Sequence, residues 1–224
     1  MKRSILKIAI LICISFNAVV VKAQFPAYLA DVNGKLFMEQ SYTDVEGSPY
    51  LNDLWLKGAV KAAGKSYDNM ELKYDQVTDV IVFKNPKGEM LNFVDPVDEF
   101  KLYVGDGYEM VFRSGFKPSD IGSEKTFYQV LTAGETPLIK RTFKKVIEYK
   151  EYNSATGTKK FDEIQNYYLV KNGVPKRIKK DKKSVLEVFG DSKTELEAFI
   201  KSNNINFKSD PDLIKLTMYY NSLK

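Results

Sequence analysis

The sequence predicts a mainly β protein: an antiparallel meander, folded as a sandwich, a roll or a partly closed barrel, with a short helical segment at its C-terminus. Two observations support this prediction. From Trp55 to Ile178, short β-type segments alternate with glycine-containing turns at nearly regular intervals. After Lys183 the pattern changes to capping residues and to apolar residues at helical spacing. With 224 residues, 44% of them hydrophobic, the chain is long enough to bury a core.

The first 23 residues have the layout of an export signal. A basic region, Met1–Lys7, precedes the apolar stretch Ile8–Phe16, and Val21-Lys22-Ala23 places small residues before a cleavage point at Gln24. The apolar stretch is shorter than the roughly twenty residues that a membrane span needs. We therefore expect a signal peptide over 1–23, a periplasmic or secreted mature chain, and no transmembrane segment after signal removal.

The residue types that are missing exclude several kinds of chemistry. The chain contains no histidine, and its one cysteine, Cys13, lies in the predicted signal. Most hydrolase triads, thiol chemistry and ordinary zinc sites therefore have no residues to build on. We expect no cofactor and no metal, because the turn Asp31–Gly34 lacks the remaining spacing of a calcium loop. Nucleic-acid binding is not expected either, because no recognition motif is present.

Local turn chemistry divides the region 24–183 into about ten strands, which we expect to form one β body. The clearest hairpin joins Val80–Phe83 to Met90–Val94 through Asn85-Pro86-Lys87-Gly88, where proline suits a type I turn and glycine a left-handed position. Further turns are predicted at Ala63-Gly64, Gly105-Asp106-Gly107, Ala133-Gly134, Thr156-Gly157 and Asn172-Gly173.

Alternation of apolar and polar residues predicts which side chains face the core. In the segment 100–104, Lys101 lies on the face opposite to three apolar residues, and the return strand continues the apolar face. The apolar residues are Phe100, Leu102 and Val104, followed by Tyr108, Met110 and Phe112. For the adjacent pair Tyr167-Tyr168 we expect one ring inside and one outside, and we expect Trp55 in the core.

The region 184–224 predicts three short amphipathic helices that pack on the β body. The first spans Val185–Phe189 and ends at Gly190 in a left-handed cap. The second begins with a capping box, Ser192 and Glu195, and the third with Ser209–Asp212. Their apolar faces consist of Leu196, Phe199 and Ile200, and of Leu213, Leu216, Tyr220 and Leu223.

Charge is distributed unevenly along the mature chain. The region 24–135 holds 11 basic and 18 acidic residues, whereas 136–183 holds 14 basic and 5 acidic residues. The densest basic run provides candidate binding residues for an acidic glycan, an anionic lipid surface or an acidic partner. They are Lys176, Arg177, Lys179, Lys180, Lys182 and Lys183. In the alternative interpretation, these lysines protect an edge strand and complement the acidic half of the same molecule.

Carboxylates are the remaining candidates for catalysis, since two of them a few ångströms apart suffice to cleave a glycosidic bond. The candidate acids form three groups. Asp95, Asp98 and Glu99 lie in one turn, and Asp75 and Asp79 flank a strand. The third group lies across a hairpin and consists of Glu148, Glu151, Asp162 and Glu163. A carboxylate-based glycan hydrolase of the periplasm or cell surface is therefore the alternative function. No residue is assigned to catalysis.

Four segments follow a distinctive order along the mature chain. They are Asp44–Leu51 before Trp55, Leu72-Lys73-Tyr74, Tyr167-Tyr168-Leu169, and Asp212–Lys215 with Tyr219-Tyr220-Asn221. This layout resembles exported proteins of unknown function common in Bacteroidetes, and the Ala23-Gln24 junction is similar to the signal-peptide ends of those proteins. The resemblance implies an envelope location and no particular reaction. Because the residue types of common catalytic sites are missing and an export signal is predicted, we expect an exported, non-catalytic protein that binds another envelope component. Tyr50, in the loop Gly47–Leu51, is a further candidate binding residue.

Overall fold

The structure, a computed structural model, describes residues 34–36, 42, 44–118, 120, 122–150 and 157–224. The predicted signal peptide and Thr156 lie outside the described residues. The described part is mainly β, with one largely antiparallel meander sheet that does not close on itself and three short helices after it. The fold class predicted from the sequence is confirmed.

Among the described residues, eleven strands form a continuous path through the sheet, and one further strand lies beside it. The strands are β1 (Gly34–Leu36), β2 (Val45–Glu46), β3 (Leu56–Ala62), β4 (Lys65–Asp75), β5 (Val80–Lys84), β6 (Met90–Phe93), β7 (Val97–Tyr103), β8 (Glu109–Arg113), β9 (Tyr128–Val130), β10 (Leu138–Tyr149), β11 (Thr158–Lys171) and β12 (Val174–Ile178). The order along the sheet is β1, β6, β5, β4, β3, β7, β8, β9, β10, β11, β12, and β2 pairs in parallel with β11. The helices are α1 (Lys182–Val188), α2 (Lys193–Ser202) and α3 (Asp210–Ser222).

The turns that join neighbouring strands follow the predicted chemistry. In the β5–β6 hairpin the amide of Asn85 donates to the carbonyl of Glu89 at 3.0 Å, and Gly88 has a φ of +83°. The β11–β12 turn has two residues, Asn172 and Gly173, with φ values of +55° and +74°. Both positive values belong to the turn type whose twist matches that of the paired strands.

The first half of the sheet is strongly curved. Two strands separate β4 from β8, so a flat sheet would place them about 14 Å apart. The ring centroids of Tyr74 on β4 and Phe112 on β8 are nevertheless 5.4 Å apart, and both rings contact Phe100 on β7. The sheet therefore bends around these rings, and its concave face encloses a hydrophobic core.

This first core lies between strands β3 to β8 and the segment before β9. Its buried residues are Val60, Ala62, Tyr67, Met70, Leu72, Tyr74, Ile81, Phe83, Phe100, Leu102, Phe112 and Phe127. The register pairs Phe100 with Phe112, which confirms the predicted shared face. Val104 and Tyr108 are 43% and 59% exposed, contrary to the prediction, because they lie at the hairpin tip beyond the core.

A second core lies between β10 to β12 and the three helices. Its buried residues are Leu138, Tyr167, Leu169, Ile178, Val185, Leu186, Phe189, Leu196, Ile205, Leu213, Leu216 and Tyr220. The rings of Phe189 and Tyr220 stack at 4.1 Å between centroids. Burying these faces on the sheet stabilises helices that would be marginal alone, since none exceeds 13 residues.

The helix ends differ from the prediction in three details. Ser209 caps α3, and its hydroxyl accepts from the amide of Asp212, as predicted. Ser192 precedes α2 but forms no side-chain cap hydrogen bond, because it ends a short 3₁₀ turn that begins at Gly190. Gly190 continues into that turn and is not in the left-handed conformation. Leu223 lies just beyond α3 and is 39% exposed.

Two predictions about aromatic side chains were wrong. Tyr167 and Tyr168 point to opposite faces of β11, but both are buried, because the helices cover one face while Tyr128 and Phe116 pack on the other. Trp55 is only partly buried, and the ammonium of Lys84 lies 4.6 Å from the centroid of its ring. An indole beside lysines at the start of β3 is stabilised by cation–π contact rather than by full burial.

Candidate functional site

The predicted basic residues lie at one end of the sheet. Lys176 and Arg177 belong to β12, which is the last strand of the path, and Lys182 and Lys183 begin α1. Charged side chains on an edge strand prevent pairing with another chain. This position is what the edge-protection interpretation predicts.

Half of these basic residues form ion pairs within the molecule. Arg177 pairs with Asp120 at 3.1 Å, Lys180 with Asp210 at 2.6 Å, and Lys182 with Glu197 at 3.7 Å. The remaining three, Lys176, Lys179 and Lys183, are exposed. The basic run therefore complements acids of its own molecule to a large extent.

Asp210, the first residue of α3, has several partners among the described residues. Its carboxylate accepts hydrogen bonds from Lys180, from the hydroxyl of Tyr167 at 2.8 Å and from Lys140 at 3.4 Å. Burial acts to raise the pKa of Asp210, but the hydrogen bonds from Lys180 and Tyr167 and the neighbouring lysine charges hold it below its usual value. These contacts with Tyr167 and Lys140 therefore hold the start of α3 against strands β11 and β10.

Tyr50, the other predicted binding residue, is buried. Its side chain is only 6% exposed, and the ammonium of Lys73 lies 4.2 Å from its ring centroid. The ammonium of Lys144 donates to the carbonyls of Tyr50 and Ser48 at 2.6 and 3.0 Å. These contacts anchor the loop Gly47–Leu51 against the sheet, so the ring of Tyr50 is not presented to a partner.

A solvent-open cleft of about 570 Å³ lies among the described residues. Its lining combines apolar side chains with carboxylates. It is formed by Asp79, Val80, Ile81, Asn92, Phe93, Val94, Asp95, Pro96, Val97, Asp98, Ser114, Gly115, Glu124, Lys125 and Phe127. Its volume lies within the range of pockets that bind small ligands or short segments.

The curvature of the sheet creates this cleft. The start of β5 and the end of β6 meet the start of β7 and the end of β8 at the same end of the sheet. A flat sheet would separate β6 from β7 by about 19 Å, whereas the link from Phe93 to Val97 reaches about 14 Å at most. The short link therefore requires the bend, and the floor of the cleft is continuous with the first core through Ile81 and Phe127.

Asp79 lies in the wall of the cleft and has an unusual environment. Its φ is +60°, which places the residue in the left-handed region. The hydroxyl of Tyr74 donates to its carboxylate at 2.6 Å, the amide of Phe127 donates at 3.4 Å, and the guanidinium of Arg141 lies 4.0 Å away. Burial raises the pKa of Asp79, although these hydrogen bonds and the charge of Arg141 act against the increase.

The cleft also contains an unsatisfied polar atom. The side-chain oxygen of Asn92, on β6, is buried and accepts no hydrogen bond from the part of the chain that the structure describes. Buried acceptors in native proteins usually have a partner. Asn92 is a lining residue of the cleft, so a donor that reached this oxygen would satisfy it.

The structure brings some of the predicted carboxylates together and separates others. Asp79, Asp95 and Asp98 all line the cleft. Glu99 pairs instead with Lys61 and Arg113, and Asp75 accepts from the amides that follow it in the turn after β4.

In the described part of the long β10–β11 hairpin, the register places each predicted acid opposite a lysine and not opposite another acid. Glu148 lies opposite Lys159 in the register, and Asp162 and Glu163 lie opposite Lys145 and Lys144. Glu151 lies outside the described residues. The register therefore offers no directly opposed pair of carboxylates among the described acids of this hairpin.

Glu124 is the carboxylate of the cleft that sequence reasoning missed. It belongs to the irregular segment between β8 and β9, which has no β or helical periodicity. Glu124 lines the cleft together with Asp98, and this placement depends on the path of residues 122–127, which end at Phe127 in the first core. No local pattern in the sequence signals such a path.

Comparison with protein-family models, curated proteins and solved structures gives no match to this chain. None of the described helices is both long and apolar enough to cross a membrane. Within the same residues, no group of three or more His, Cys, Asp or Glu side chains is arranged to hold a metal ion. The cleft must therefore be interpreted from its own residues.

Proposed function

We propose that this is an exported, non-catalytic protein that binds another component of the cell envelope through the cleft at the mouth of the first core. One observation supports this most strongly: a concave site of about 570 Å³ combines exposed apolar side chains with several carboxylates. Val94, on its rim, is 60% exposed. Apolar groups grouped with polar ones in a concave surface are typical of binding sites.

The basic run is a weaker candidate for the binding surface. Arg177, Lys180 and Lys182 are engaged with acids of the same chain. An acidic partner would have to replace those internal pairs. The proposed export rests on the signal peptide predicted over residues 1–23 and on the resemblance to exported Bacteroidetes proteins.

Affinity capture with a matched pair of variants tests this function. The mature chain, Gln24–Lys224, is immobilised and exposed to solubilised envelope from its native cells, and bound proteins are identified by mass spectrometry. Val94→Arg places a large charged side chain in the cleft, whereas Tyr108→Arg alters a residue of similar exposure, 59% against 60%, at the β7–β8 tip. We expect Val94→Arg to lose a partner that Tyr108→Arg retains. Equal recovery by both variants, or no specific partner at all, would reject the cleft as the binding site.

A carboxylate-based glycan hydrolase is the second candidate, and the wall of the cleft favours it. Asp79 has a pKa raised by burial and shares the cleft with other carboxylates. A raised pKa is the property that a general acid needs. If this candidate is correct, the mature chain releases sugars from envelope glycans and Asp79→Asn abolishes the release. Absence of turnover across a glycan screen would leave binding as the function.

A further inference from the structure

We infer that the cleft recognises a positively charged peptide segment with an apolar side chain, presented by the envelope partner. This inference rests on the proposed function and specifies its ligand. It combines three independent observations: acids of the rim without an ion pair among the described residues, the apolar side chains beside them, and an oxygen of Asn92 without a partner in the same part of the chain.

The rim, which consists of the exposed residues of the cleft lining, has a net negative charge that no ion pair among the described residues compensates. Asp95, Asp98 and Glu124 are exposed acids of the lining, and Lys125 is the only base among the described lining residues. The three acids form no ion pair with the described residues, whereas Glu99, Asp120 and Asp210 all have basic partners. A low-dielectric concave surface concentrates the field of such charges, so it attracts cations and repels acidic ligands.

Apolar groups alternate with these acids along the rim. Val94 is 60% exposed between partly buried Phe93 and the exposed Asp95, and Pro96 and Val97 follow directly. The ring of Phe93 is itself fixed against Phe83, with centroids 4.7 Å apart. A ligand that buries Val94 gains apolar contact at a rigid surface, so a purely polar cation would use only part of the site.

The buried oxygen of Asn92 completes the match. It is an acceptor without a partner among the described groups, and a peptide supplies backbone N–H donors at regular spacing. A segment that brings a donor to this oxygen removes the cost of leaving it unpaired. The opening to solvent allows a chain to enter and leave, as a peptide requires and a fully enclosed cavity forbids.

Binding of a defined probe tests this inference. A fluorescein-labelled peptide of alternating lysine and leucine is titrated with the mature chain, and a peptide with glutamate at every lysine serves as its counterpart. We expect saturable binding of the basic peptide, with affinity that falls as sodium chloride rises from about 50 to about 300 mM. The acidic peptide is expected not to bind.

Charge-matched variants locate the binding. The double substitution Asp98→Asn with Glu124→Gln removes two rim charges, and Asp53→Asn with Glu135→Gln removes two exposed acids outside the cleft lining. We expect the first pair to weaken binding of the basic peptide roughly tenfold, because two charge pairs with the peptide are lost. The second pair is expected to change it less than twofold.

Two outcomes overturn the inference. Equal weakening by both double variants would show that net charge, and not the cleft, attracts the peptide. No binding of the basic peptide, while envelope capture still depends on Val94, would reject the ligand class and leave the proposed function standing. If Val94→Arg and Tyr108→Arg recovered the envelope partner equally, the proposed function would be rejected as well.

Discussion

Asp79 shows how a single residue connects the core of this protein with its surface. Its hydrogen bond from Tyr74 reaches the aromatic cluster, and its contact with Arg141 reaches β10. Its backbone has a φ of +60°, a conformation that Asp and Asn tolerate better than other non-glycine residues. Sequence reasoning grouped Asp79 with Asp75 because both lie beside one strand, but it could not foresee burial, which depends on the segment before β9.

The raised pKa of Asp79 has a consequence for stability. Burial raises the pKa of Asp79 in the folded state above its value of about 4 in the unfolded chain. The neutral carboxyl therefore contributes its full stabilisation below the unfolded pKa, and this contribution is lost as pH rises through the folded pKa. The side-chain amide that Asp79→Asn introduces stays neutral throughout. We therefore expect this variant to gain stability relative to wild type as pH rises through this range.

Urea unfolding at a series of pH values, from about 4 to about 8, measures this difference. Asp53→Asn serves as a control, because Asp53 is exposed. If the difference between Asp79→Asn and wild type were the same at every pH, burial would not govern the titration of Asp79.

The pKa of Asp210 is shifted in the opposite direction to that of Asp79, so its contribution to stability depends on pH in the opposite way. Its folded pKa lies below the unfolded value, so its contribution to stability is present above the unfolded pKa of about 4 and is lost as pH falls through the folded pKa. We expect Asp210→Asn to lower the free energy of unfolding by about 1–2 kcal/mol at pH 7, a difference that shrinks in acid. Parallel unfolding of wild type and Glu135→Gln at pH 7 and at about pH 3 checks this result. A constant deficit across pH would contradict it.

At the scale of the element, the hairpins were predictable and their arrangement was not. Turns such as Asn172-Gly173 are determined by two neighbouring residues, so their position can be read locally. The pairing of β3 with β7, or of β2 with β11, joins residues far apart in the chain. The side chain of Asn221 shows the same limit, since it binds Thr136 and Ala133 in the β9–β10 loop without any local signal.

The close approach of β3 and β7 predicts a sensitive glycine. A methyl group on Gly58 would overlap the carbonyl oxygen of Lys101 and lie 2.7 Å from a methyl of Leu72. Gly58 is buried and paired on both sides, so the strands must move apart to admit it. We expect Gly58→Ala to lower the free energy of unfolding by about 2–3 kcal/mol.

Gly190→Ala is the matched control. No atom lies within 4 Å of the position of its added methyl group, and its φ is not in the left-handed region. Chemical unfolding of both variants is the measurement. Equal stability of Gly58→Ala and Gly190→Ala would contradict the close packing of β3 against β7.

Across the whole molecule, the acidic region 24–135 and the basic region 136–183 have different roles. The acids of the first half include those of the cleft, whereas several bases of the second half pair with acids that hold helices and loops in place. Composition alone predicted this polarity and drew attention to the basic run. In the folded molecule, three of the six residues in the basic run form ion pairs with acids of the same chain, whereas the rim acids form none with the described residues. Composition could not predict this difference, because ion pairing depends on the folded arrangement.

Site-specific photo-crosslinking in the native cells tests the central claim most directly. A photoreactive phenylalanine analogue replaces Val94 in one strain and Tyr108 in another, two positions of nearly equal exposure of which only the first lies in the cleft. We expect the analogue at Val94 to crosslink to a defined envelope partner and the analogue at Tyr108 not to crosslink to it. Crosslinks to the same partner from Tyr108 alone, or none from Val94, would contradict it.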